Sequence, residues 1–211
     1  MPGKKKLEKP LNRKEREYES RRKETLAAAL KLFSQKGYHQ TSMSEIAKAA
    51  EFSIGSLYNF FKNKEELYLT LFNEEIEEIA GLVNQEMGKV LTPREKLNAL
   101  VHTLFNYFEN RWEAFHVFAL SQQEFEHSLQ ANLGNVIRLR HLQFLQTVSA
   151  IIKQGSEKGI FKPLPAEAMS LALIGLINGS IILWIESNRA YSLKERAPEI
   201  LEIFYTGVEK K

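Results

Sequence analysis

The sequence predicts an all-α protein: an N-terminal three-helix unit followed by a larger helical domain, about nine helices in total. Three observations carry this. Apolar residues recur at i, i+3, i+4 and i+7 through most of the chain, and no run alternates convincingly with the period of a strand. Helix-capping signatures stand at several segment starts. The 211 residues are 44% hydrophobic, enough for a real core, and the acids are all Glu with no Asp, a bias that suits long helices.

Charge divides the chain. Residues 1–64 hold 15 Lys and Arg against 7 Glu, a balance of +8; residues 65–211 hold 14 against 19, a balance of −5, which together recover the net +3. That asymmetry points a polyanionic partner at the N-terminal end. Cys is absent, which excludes disulfides and thiolate chemistry and fits a reducing, cytoplasmic setting. The N-terminus has lysines but no apolar core of a signal peptide, so secretion is not expected.

In chain order, residues 1–19 read as a basic arm without regular structure, helical at most after Asn12. Lys4, Lys5, Lys6 and Lys9 could follow a DNA backbone, but a solubilising tail is the simpler reading. Ser20 to Lys36 is a helix, with Leu26, Ala29, Leu30 and Phe33 on one side and Gly37 suited to end it. Ser42-x-x-Glu45 is a capping box for a second helix carrying Ile46, Ala47 and Ala50. Glu51-Phe52 is a tight connection. Ser53 caps a third helix, Ile54 to about Phe61, and Asn63-x-x-Glu66 starts a fourth. Two short helices joined by a short turn form the helix-turn-helix pattern, placed in a domain over 20–66. Stepping the third helix at about 100° per residue puts Leu57 and Phe61 on its packed side. Gly55, Ser56 and Asn59 face outward, Tyr58 and Phe60 sit on the flanks, and Ile54 lies nearer the packed side. Gly lets a backbone come close to DNA, while Ser and Asn can bond base edges.

These residues resemble the DNA-binding signature of the TetR (TetR/AcrR) family of bacterial transcriptional regulators. The resemblance covers roughly Thr25 to Phe72. It rests on Phe33, Gly37, Tyr38, Thr41, Ser42, Ile46, Ala47, Ala50, Ser53, Gly55, Leu57, Tyr58, Phe61 and the run Lys64-Glu65-Glu66-Leu67. It implies a DNA-contacting set of Ser42, Ser53, Ile54, Gly55, Ser56, Tyr58, Asn59 and Lys64. Gly55, Ser56 and Asn59 would face bases, and Ser42, Tyr58 and Lys64 would hold phosphates. Lys64 also stands at a helix N-terminus, which disfavours a cation unless an anion is near. Two positions depart from the family pattern. Glu51 stands where glycine is usual, at a cost of about 1 kcal/mol if its φ is positive. Ile54 stands where a polar or basic residue is common.

Residues 67–211 read as an effector-binding and dimerisation domain. The helix from Lys64 to about Val90 keeps an apolar stripe, with Glu74, Glu75, Glu77 and Glu78 read as its solvated side. It runs from the first domain into the second and could act as a lever. Thr92-Pro93-Arg94-Glu95 is a clear helix start. A shorter helix over Trp112, Phe115 and Phe118 is expected next, then a long one from Leu129 to Lys158. Ala166 to Ser187 is the most apolar segment. A membrane span needs about 20 apolar residues, but Asn178 and Ser180 interrupt this one, so it reads as a buried helix. Gly175-x-x-x-Gly179 allows close approach of another helix. The resemblance implies a homodimer through helices 129–158 and 166–187. A last helix, Leu193 to Val208, should break near Pro198.

Catalytic chemistry is not legible. The pairs Glu113/His116 and Glu124/His127 lie 11 residues apart, roughly 16 Å along one helix, so no shared metal site is expected. Triads and glycine-rich phosphate loops are missing. No enzyme activity, metal or cofactor is expected. The ring-rich second domain can leave a cleft between helices, and the resemblance implies an effector pocket there. Candidate lining residues are His102, Phe105, Asn106, Phe108, Trp112, Phe115, Phe118, Gln122, Gln123 and Asn178, for a largely apolar or aromatic small molecule. The reading is a ligand-responsive regulator, most simply a repressor, that binds a palindromic double-stranded operator as a homodimer. The competing class is an all-helical lipid or small-molecule carrier, or an enzyme, with an incidental basic end.

Overall fold

The computed structural model describes residues 12–112 and 131–209, with the backbone alone for 131–137. The described residues hold eight α-helices: α1 Arg13–Lys36, α2 Met43–Ala49, α3 Ile54–Phe60, α4 Lys64–Gly88, α5 Pro93–Asn110, α6 Ala131–Glu157, α7 Ala166–Glu186 and α8 Ala197–Val208. A 3₁₀ turn, Lys194–Arg196, leads into α8, and Pro198 falls in that helix's first turn. The break expected near Pro198 is this change of helix type. The chain divides into two compact units, Met1–Leu71 and Phe72–Lys211.

In the first unit, α1 starts at Arg13, well before Ser20, so residues 13–19, placed in the basic arm with helix allowed only after Asn12, are helical. Asn12 caps it in a reciprocal box with Glu15. No apolar stripe announces these turns, because an ion pair within the helix and a ring contact support them. Glu17 pairs with Arg21 at 2.9 Å, and Tyr18 meets the Phe60 ring of α3 at 4.9 Å. Further on, Leu26, Ala29, Leu30 and Phe33 are buried as their spacing requires, with Met43, Ile46, Ala47 and Leu57 from α2 and α3. Leu67, Tyr68 and Leu71 from the start of α4 complete this core.

The second unit is built around α5, α6, α7 and α8. The contact of α6 with α7 is the most extensive among these helices. Thr92 and Glu95 form the expected box at α5, with Pro93 in its first turn. α7 buries Met169, Leu173, Ile174, Ile177, Ile181 and Trp184. By length and composition alone this helix could cross a membrane, but its buried side is part of the unit's core. Phe161 stacks on Tyr205 of α8 with 6.2 Å between ring centroids, and Lys162 N–H donates to the Val208 carbonyl at 2.7 Å. An isolated antiparallel bridge joins Phe161 to Glu209.

One acid of the glutamate run is misread by composition. Glu74, Glu77 and Glu78 are exposed, but Glu75 is buried, at 6% exposure. It lies between Phe72 and Ile79 on the same helical side. Tyr107 donates to it at 2.5 Å and Arg111 at 2.5 Å. Burial, and donation to that carboxylate, push the Tyr107 hydroxyl far above its usual pKa. A buried acid needs such partners.

Candidate nucleic-acid interface and effector cavity

The helix-turn-helix is made by three local devices. Ser42 accepts the Glu45 N–H at 3.2 Å while Glu45 accepts the Ser42 N–H at 2.8 Å. Lys36 and Ser42 hold the Glu45 carboxyl down to about 2. The turn after α2 is a Schellman closure: Phe52 N–H donates to the Ala47 carbonyl at 2.9 Å, and Glu51 N–H to that of Lys48 at 3.2 Å. Glu51 sits there with φ 59°, in the left-handed region that glycine favours. Ser53 then accepts the Ser56 N–H at 3.1 Å to start α3.

Leu57 and Phe61 are buried, so the packed side of α3 is the one its periodicity requires. Gly55, Tyr58 and Asn59 are exposed. A Cβ added at Gly55 would come near only Ser53 Oγ, at 3.9 Å, so nothing within the described residues requires glycine there. Ile54 departs from expectation: it is 44% exposed and not on the packed side. As the first residue of a seven-residue helix, its side chain leans toward the N-terminus, past the last turn that α2 could cover. Ser56 is only half-exposed, and its hydroxyl shares a 2.9 Å hydrogen bond with Ser53. The Ser42 hydroxyl likewise donates to Glu45 at 2.8 Å.

Lys64 has partners within its own unit. Its Nζ donates to the carbonyls of Tyr38 at 2.8 Å and Thr41 at 2.9 Å, with His39 at 3.5 Å. It also lies 4.3 Å from the centre of the Tyr38 ring. An ammonium has three N–H donors, and three carbonyls engage them here. Desolvation lowers its pKa. Three carbonyl dipoles thus face the ammonium, and Glu65 and Glu66 follow it in the first turn of α4.

The second unit holds an apolar cavity of about 320 Å³, within the usual range for small-molecule sites. From α4 it is lined by Phe72, Ile76, Ile79, Ala80, Val83 and Asn84; from α5 by Leu104 and Phe108. α6 contributes Arg140, His141, Gln143, Phe144 and Thr147, and α7 contributes Ile177 and Asn178. Two of the sequence candidates, Phe108 and Asn178, are brought together here. Phe105 is fully buried in the core, while His102 and Asn106 are exposed away from this lining. Trp112 is half-buried under the Arg189 guanidinium at 3.9 Å. Phe115, Phe118, Gln122 and Gln123 lie outside the described residues, as do both Glu-x-x-His pairs. The α4 wall was missed, although its apolar stripe is wider than one helix contact needs. No pattern in the sequence singles out Arg140, whose place depends on how α6 lies against α4.

Comparison with known proteins agrees with both units. Residues 26–71 match the family described as "Bacterial regulatory proteins, tetR family", and residues 72–207 match "YsiA-like protein, C-terminal region". The chain is 24% identical over 185 residues to the fatty acid metabolism regulator protein of Bacillus subtilis (strain 168), covering 87% of this chain and 93% of that one. It resembles the structure of the fatty acid degradation regulator FadR from Bacillus halodurans with a TM-score of 0.80, at 23% identity, covering 89% and 95% of the two chains. It also resembles the transcriptional regulator FadR from Bacillus subtilis in complex with stearoyl-CoA, with a TM-score of 0.77, at 24% identity, covering 88% and 98%. The two structural likenesses establish the fold. Together with the capped helix-turn-helix, the matches over both units establish that the chain belongs to the tetR family of bacterial regulatory proteins.

Proposed function

We propose that this regulator is a homodimeric repressor whose paired α3 helices read a palindromic operator, and that a largely apolar effector filling the cavity releases it. The observation that carries the reading is the outward side of α3. There Gly55 and Asn59 stand exposed on a short helix that Ser53 caps at its N-terminus. Half-sites about 34–36 Å apart suit two such helices in successive major grooves. Asn59 is assigned to a base edge and Tyr58 to a phosphate. Gly55 lets the helix backbone approach, and Ile54 is placed to meet a thymine methyl. Ser42 and Ser53 serve chiefly as caps, and the Ser56 hydroxyl is tied to Ser53.

The effector class follows from the cavity and from the relatives. The walls are mainly aliphatic and aromatic, a B. subtilis relative is a fatty acid metabolism regulator protein, and the structurally similar FadR from Bacillus subtilis was solved in complex with stearoyl-CoA. We assign the cavity to the acyl chain of a fatty acid or its thioester. An effector that prefers the conformer unable to span both half-sites shifts the population off DNA.

The test is an operator selection from random duplexes with the full chain, followed by Asn59→Ala. That variant is expected to lose about tenfold on the selected operator and to keep its affinity for random DNA. Equal losses on both would refute base reading by Asn59. Recovery of no preferred sequence would replace the repressor with a nonspecific DNA binder.

A further inference from the structure

We propose that Arg140 is the anion-holding residue of the effector cavity, and that Glu77 of α4 occupies it until the effector's anionic end takes its place. This rests on the reading of the cavity as the effector site. Among the described lining residues, Arg140 carries the one permanent charge, and no carboxylate is present. An apolar chamber with a single arginine among its lining residues is complementary to an alkyl chain ending in a carboxylate or a phosphate.

In this structure the guanidinium is half engaged. Arg140 Nη2 donates to Glu77 Oε1 at 2.6 Å and lies 3.4 Å from Asn73 Oδ1. Both contacts use the same nitrogen, so Nη1 and Nε make no hydrogen bond among the described residues. A guanidinium offers five N–H donors in a planar fork that suits bidentate binding of an oxyanion. Glu77 is a poor competitor. Its side chain is 64% exposed, and an exposed ion pair contributes little. An oxyanion carried in on a buried alkyl chain would displace it readily.

The exchange has a structural consequence. Asn73 and Glu77 lie one turn apart on α4, and Arg140 lies on α6. Moving the guanidinium from Glu77 to the effector removes a polar tie between these two helices. α4 is also covalently continuous across the division between the units. The head of the effector, and not only its chain, therefore alters what holds α4.

Calorimetric titration of the full chain with dodecanoyl-CoA, dodecanoate and 1-dodecanol tests this. Wild type is expected to bind at least one of the two anionic probes about tenfold or more tighter than the alcohol. Arg140→Gln should remove that preference and leave dodecanol within about twofold, while Arg140→Lys restores part of it. Glu77→Gln should tighten the anionic probe by about threefold or more, with no change for the alcohol. The anion whose affinity collapses in Arg140→Gln identifies the head group, carboxylate or phosphate. An Arg140→Gln variant that weakens all three probes alike, or none, overturns the proposal. Ala80→Trp and Thr147→Trp fill the cavity and should block all three probes. If they block them while Arg140→Gln changes nothing, the Arg140 assignment alone falls. If neither filled variant blocks any probe, the cavity reading falls and the proposal with it.

Discussion

Glu51 holds the left-handed conformation that closes α2, with φ 59°. A Cβ makes that region unfavourable by roughly 1–2 kcal/mol, and Glu51 gains no special local hydrogen bond to offset it. Glu51→Gly is expected to raise the unfolding free energy by about 0.5–1 kcal/mol, seen as a higher denaturant midpoint. A lower midpoint would mean the carboxylate has a partner that the backbone geometry does not reveal. Lys64 gives the opposite case. Its three carbonyl partners lie in the segment between α1 and α2, which its ammonium ties to the start of α4. Lys64→Met should lower unfolding stability by about 1–3 kcal/mol in thermal melts without DNA. A lysine serving only a phosphate would leave those melts unchanged.

At the scale of elements, the end of α6 shows how one missing side chain sets a contact. A Cβ on Gly155 would lie 2.2 Å from the Phe161 ring, and Phe161 is itself buried and stacked on Tyr205 of α8. Gly155→Ala is therefore an overpacking change, expected to cost about 1–3 kcal/mol. Phe161→Leu in the Gly155→Ala background should recover part of the loss, which a thermal-melt double-mutant cycle would measure. An alanine that left stability unaltered would show that Phe161 can move at little cost. The sequence marks the ends of these helices well, because caps and C-terminal glycines act within a few residues. It does not mark which side of a helix meets a distant partner. Nothing within α6 itself marks Gly155, and only the Phe161 ring brought back against it explains the glycine.

For the whole molecule, α7 carries two faces with different fates. One is buried in the second unit. The other leaves Leu171, Ile182 and Leu183 exposed, Leu183 at 60%. Cβ atoms at Gly175 and Gly179 would meet nothing within 4 Å. Large apolar side chains flanking bare glycines on one helix side are suited to a second copy of the chain. Leu183→Glu is expected to yield a 24.3 kDa species in sedimentation at micromolar concentration, with helix content unchanged. A persistent dimer would move the interface elsewhere.

What the sequence by itself determined is local: the helical class, the caps, the turn at Glu51, the packed side of α3 and the charge division between the ends of the chain. These depend on neighbours within a turn or two, so periodicity and capping chemistry report them directly. The tertiary structure decided the rest. It buried Glu75 against Tyr107 and Arg111, took Lys64 into a set of carbonyls, turned Ile54 outward, and added a cavity wall from α4 and α6 beside Phe108 and Asn178. Each of those outcomes depends on which residue, tens of positions away along the chain, comes to within a few ångströms. That proximity is fixed by how the helices pack and by nothing written within any one of them.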